Sequence, residues 1–143
     1  MSWIFVDYEI VVALHRREVL QTGEPLLILS SELLESALGR AEKHVEYQAS
    51  LGEATPGSAC TLAAVYLHAI ATAHAFENGN KRTAWQTMNV FLEMNGYRMD
   101  GIGGELGEAL VLNMIRGLTS IDQAGEFLRR FVYPYVYPND GPL

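Results

Sequence analysis

The stretch His74-Ala75-Phe76-Glu77-Asn78-Gly79-Asn80-Lys81-Arg82-Thr83-Ala84 gathers the residue types that chemistry needs. His74 is a side chain that takes or gives a proton near neutral pH. It stands at the expected C-terminal end of one helix, where the helix dipole favours a cation. Gly79 permits a tight turn or the close approach of a ligand. Asn80, Lys81 and Arg82 open the next expected helix, where unpaired backbone N–H groups already favour an anion such as phosphate. Two cations there oppose the dipole, so placing them costs stability unless an anion sits among them. A proton carrier a few ångströms from a phosphate cradle points to phosphoryl or nucleotidyl transfer onto a hydroxyl. A plainer reading uses the same residues: His74 caps its helix and the basic pair binds neighbouring acidic side chains. Spacing leaves both readings open.

The elements that must position this loop are helical almost throughout. Asp7 caps a first helix with Val12, His15 and Val19 on one face, and Gly23 then Pro25 end it. The apolar run 26–29 is a small strand or a buried connector. Ser30 or Ser31 caps a second helix with Leu33, Leu34, Ala37 and Leu38 inward, ending near residue 40 or 49. Gly52 to Ser58 reads as a loop, with Thr55-Pro56 suited to a helix start. Residues 58–73 are apolar on every face, as expected of the central helix of a bundle. Another helix spans about Lys81 to Asn95, with Ala84, Met88, Phe91 and Leu92 inward and Gly96 as its stop. Leu106, Leu110, Met114 and Leu118 form a row four residues apart on a further helix. Ser120 and Gln123 form a capping box for a last one, carrying Ala124, Phe127, Leu128 and Phe131. Strand signals are scarce. The expected architecture is all-α, one domain over 1–143 with its core at about 6–131 and an irregular tail over 132–143.

Charge narrows the function classes. With 10 Lys+Arg against 17 Asp+Glu, the 143 residues carry −7. That balance repels a phosphate backbone, so direct nucleic-acid binding is not expected. Residues 54–92 hold only Glu77, Lys81 and Arg82, so the middle of an acidic chain is nearly free of charge and its cations are local. The longest apolar-rich run, 61–76, is short and holds His68 and His74, so no membrane span is expected. One cysteine, Cys60, and no recognisable leader point to a reducing, cytoplasmic setting and an inert packed thiol. His15 and His68 fall on apolar faces and read as core histidines, and His44 as solvated. No two histidines stand three or four residues apart, which argues against zinc. Glu32 and Glu35 read as surface charges. Tyr133, Tyr135 and Tyr137 read as a tail packed over the last helix, or as a partner contact.

The loop also resembles a known signature. The Fic/Doc superfamily carries His-x-Phe-x-(Asp/Glu)-Gly-Asn-x-(Arg/Lys), and His74, Phe76, Gly79, Asn80 and Arg82 stand at matching positions. Lys81, where AMP-transferring members have Gly, and Trp85, where they have a second Arg, are similar to the death-on-curing (Doc) branch. Leu14-His15, the run 33–38 and the run 91–97 are also Doc-like. The resemblance covers about residues 6–131 and implies a Fic/Doc-like helical bundle and a toxin of a toxin–antitoxin pair. That toxin moves a phosphoryl group from ATP to a Ser/Thr hydroxyl of a protein, elongation factor Tu in the best-understood members, and so stops translation. His74 would be the general base, while Gly79, Asn80, Lys81 and Arg82 would hold the nucleotide phosphates and Phe76 would fix the loop. Asn78 stands where the family has its Mg²⁺ ligand, an Asp or Glu. A neutral amide offsets no charge, so weaker metal binding and weakened activity are expected, unless Glu77 or a target carboxylate helps. The alternatives are a Fic-type AMP transferase and a catalytically impaired binding module. No added inhibitory helix with a Ser/Thr-x-x-x-Glu-type motif is visible, so a separate cognate antitoxin is the expected partner.

Overall fold

The computed structural model describes residues 3–24, 28–52 and 55–137. Six helices follow in order: α1 (Tyr8–Thr22), α2 (Ser31–Ser50), α3 (Pro56–Ala73), α4 (Asn80–Met94), α5 (Gly104–Ile115) and α6 (Ile121–Leu128). Two three-residue strands, β1 (Tyr97–Met99) and β2 (Val132–Pro134), form an antiparallel pair with Tyr97 opposite Pro134. The fold class is all-α, as expected.

Local chemistry explains most boundaries. Asp7, Ser30, Thr55 and Ser120 each accept a hydrogen bond from the backbone N–H three residues on, which satisfies an otherwise unpaired donor of the first turn. Gly23, at φ +73, ends α1 in the left-handed conformation that a glycine adopts without strain. Pro25, the other expected stop, lies outside the described residues, as do residues 26 and 27 of the apolar run. α2 runs the whole way to Ser50 across Gly39. α3 starts at Pro56, inside the segment expected as loop, because the Thr55 and Ser58 side chains close a reciprocal cap around that proline.

α3 is the central element. Twelve of its side chains are buried, and α2, α4, α5, α6 and β2 all pack on it. Gly125 of α6 comes so close that a methyl group there would lie 3.0 Å from the Thr61 Cα. The Tyr66 ring lies tilted against Phe91 of α4 with centroids 4.8 Å apart, and its hydroxyl accepts from the Val6 N–H, tying the N-terminal segment to the core.

Five expectations need correction. Leu33 of α2, expected inward, is exposed, and the helix buries Leu34, Ala37, Leu38, Ala41 and Val45. Phe131, expected on the last helix, lies beyond its end at Leu128. In α1 the buried face is Val11, Leu14, His15 and Val19, with Val12 only half-buried. In α5 the row of four fails: Leu106 and Leu118 are exposed, and Leu118 lies beyond the helix. A step of four residues overshoots a turn by about 40°, so such a row winds off any flat face. The core takes Gly107, Leu110, Val111 and Met114 instead. The segment from residue 132 is not wholly irregular, since β2 pairs with β1 and the Tyr135 N–H reaches the Gly96 carbonyl. Residues 138–143 lie outside the described residues.

Candidate active site

α3 ends and α4 begins on either side of residues 74–79, and the backbone between them is held from four directions. His74 sits at φ 52, the only non-glycine described with positive φ. A conformation of that cost persists only where the surroundings impose it, and such residues concentrate at functional sites. Here the neighbouring carbonyl of Ala75 accepts from both the Leu29 and Ser30 N–H groups. Ile28 and Phe76 form an isolated antiparallel bridge, so the expected small strand or connector proves to be the brace of this loop. Asn80 closes the loop on itself, with Oδ1 accepting from the Phe76 N–H at 3.2 Å and Nδ2 donating to the Phe76 carbonyl at 2.8 Å. His15 of α1 meets the Asn78 carbonyl at 2.8 Å through Nε2. Phe76 is buried and stacks flat on the His15 ring. Gly79, at φ +79, makes the last turn into α4.

α4 opens with Gly79 and has no side-chain cap, and α5 opens the same way at Gly103. Both unsealed ends face one cleft of about 900 Å³, within the usual size of a ligand site. His74, Glu77, Asn78, Gly79, Asn80, Lys81 and Arg82 all line it, so the loop residues singled out from the sequence are brought together. Phe76 is the exception, because it serves under the loop. The far wall is formed by Trp85, Ile102, Val111, Leu112 and Ile115, with Gln86 and the carboxylate of Glu108 among them. Trp85 lies against α5 at Gly107, where a methyl group would stand 2.9 Å from the indole.

The plainer reading of the basic pair is partly realised. Arg82 makes an ion pair with Glu24, just past the end of α1. The Thr22 hydroxyl bonds the same carboxylate at 2.5 Å, and that bond first, then Arg82, holds the Glu24 carboxyl below its ordinary value. Lys81 has no ion pair among the described residues. Glu24 and Glu18 also line the cleft, and sequence reasoning missed both. Their only signal was proximity in sequence to the α1 face that meets the loop.

Asn80 spends its side chain on Phe76, and its backbone N–H belongs to the uncapped first turn of α4. For Mg²⁺ the donor set is poor. Asn78 offers a neutral amide, and among the described residues no three His, Cys, Asp or Glu side chains converge to hold an ion. Mg²⁺ takes carboxylate and phosphate oxygens, so these residues do not make a protein-held Mg²⁺ site.

His44, Glu32 and Glu35 are exposed, as expected. His68, expected in the core, is only half-buried, and burial, aided by Arg40, holds its imidazole below the ordinary value. Cys60 is buried and its thiol is pushed up to about 11, mainly by burial. Among the described residues no helix is long and apolar enough to cross a membrane.

A helical core that presents a left-handed histidine beside two unsealed helix ends and a basic pair is the frame of an enzyme-like protein. Residues 5–92 match the Fic/DOC family, and the chain belongs to it. Members of that family are typically transferases. A comparison with curated proteins finds no match.

Proposed function

We propose that this protein is a Doc-type toxin that transfers the γ-phosphoryl group of ATP to a Ser or Thr hydroxyl of a target protein. The observation that carries this reading is the shared cleft: His74 lines it together with Lys81, Arg82 and the uncapped start of α4. The backbone N–H groups of residues 80–82, with Lys81 and Arg82, cradle the phosphates. His74 takes the proton of the attacking hydroxyl. The hydroxyl oxygen forms the new bond to the γ-phosphorus, the bond to the bridging β-oxygen breaks, and ADP leaves with the cradle neutralising its charge. Any Mg²⁺ would enter already bound to the nucleotide. The closed loop supplies the fixed geometry that such transfer depends on. Elongation factor Tu is the expected target, translation arrest the expected outcome, the cytoplasm the setting, and a separate antitoxin the expected partner.

The second reading is AMP transfer. Trp85 speaks against it, since an indole packed on Gly107 stands where AMP-transferring members place a second arginine for the outer phosphates. Purified protein incubated with Mg²⁺, elongation factor Tu and ATP labelled at the γ or the α position tests both. Label from the γ position on a Ser or Thr supports phosphoryl transfer, and label from the α position overturns it in favour of AMP transfer. Expression in cells gives an independent check. The wild type should arrest growth and His74→Ala should not, whereas arrest by both would mean that binding alone suffices.

A further inference from the structure

We infer that His15, on α1 and 63 residues from its partner in sequence, is a positioning residue that sets the shape of the reaction loop. Two contacts and one close approach, on three residues of the loop, carry this. Its Nε2 lies 2.8 Å from the Asn78 carbonyl. Its ring stacks on Phe76 with centroids 3.8 Å apart and planes inclined by only 10°. A methyl group at Gly79 would stand 3.6 Å from its Cδ2 and 3.3 Å from Val19 Cγ1. The imidazole is 2% exposed, so water does not readily replace what it does.

Each contact constrains a different atom that the cleft uses. The stack holds the aromatic floor under residues 76–78. The hydrogen bond aims the Asn78 peptide, and with it the side chain at the position of the family's metal ligand. The ring edge and Val19 close the space beside Gly79, whose left-handed turn points the first N–H groups of α4 into the cleft. Asn80 and residues 28–30 hold the Phe76 side of the loop, but among the described residues the Asn78 carbonyl is bonded only by His15. A carbonyl oxygen cannot donate, so His15 carries its proton on Nε2.

The consequence for transfer rests on the function proposed above, while the hold on the loop does not, and the two are measured separately. In hydrogen exchange, His15→Phe keeps the stack and loses the donor, while His15→Gln keeps a donor of similar reach. In His15→Phe the two bonded amides of the loop, those of Phe76 and Thr83, should exchange about tenfold faster with α3 and α5 unchanged, and His15→Gln should stay within about threefold of wild type. Unchanged exchange at these two amides, or equal acceleration throughout α3 and α5, would overturn the inference. Proton–nitrogen correlation NMR of the wild type needs no variant and decides where His15→Phe does not fold. A proton on Nε2 supports the assignment, and a bare Nε2 refutes it. If the loop responds as expected while the wild type transfers nothing from ATP, the proposed function fails and the positioning role stands.

Discussion

Asn78 and Glu24 decide how much negative charge meets the phosphates and any accompanying cation. Asn78→Asp restores a carboxylate at the loop, and the rate of ATP-dependent transfer at limiting Mg²⁺ should rise about tenfold. An unchanged rate with purified target would remove the idea that the amide weakens this copy. Glu24 does the opposite work, since its carboxylate occupies the guanidinium of Arg82. Glu24→Gln should tighten binding of inorganic triphosphate about threefold in calorimetry at low salt, with the gain fading as salt rises. Because the Glu24 carboxyl is held below its ordinary value, any support that the pair lends the fold is present above the usual carboxylate range. That support is lost only as acid protonates it, so the effect of Glu24→Gln on triphosphate binding should persist across neutral pH.

Among helices, the capping pattern separates scaffold from site. α1, α2, α3 and α6 are sealed by Asp7, Ser30, Thr55 and Ser120, while α4 and α5, which open on the cleft, are not. The scaffold also depends on close approach. At Gly125 a new Cβ would meet the backbone of Thr61 at 3.0 and 3.2 Å, atoms that cannot rotate away. Gly125→Ala should therefore destabilise the protein by about 1–3 kcal/mol through overpacking, less the roughly 1 kcal/mol that alanine adds to a helix. Urea unfolding measures the sign, and a stabilised variant would mean that α6 shifts outward freely. Such contacts had no mark in the sequence beyond a glycine inside a helical pattern.

For the whole molecule, burial rather than composition governs reactivity. Cys60 lies within the core cluster around α3, with its thiol raised to about 11. Native protein at pH 8 should react with a thiol reagent at the rate of global unfolding, and fully only in denaturant. Rapid labelling of the folded chain would show that α3 opens locally. The charge pattern also acquires a location: residues 54–92 are nearly free of charge because α3 is enclosed, and their two cations, Lys81 and Arg82, both reach the cleft.

Helix existence, the caps at Asp7 and Ser120, the buried centre at α3 and the loop from His74 to Arg82 were legible because each rests on neighbours in sequence. Caps act over three residues and amphipathic faces over one or two turns, so local order suffices to read them. The β1–β2 pair, the brace of Ile28 on Phe76, the carboxylate of Glu24 on Arg82 and the imidazole of His15 under Asn78 were not legible. Each joins residues tens of positions apart, and nothing in either partner's surroundings along the chain names the other. Chain order placed a proton carrier next to a phosphate cradle, but packing of α1 and residues 28–30 against that loop decided its shape, because a six-residue turn has too few bonds of its own to hold a left-handed histidine in place.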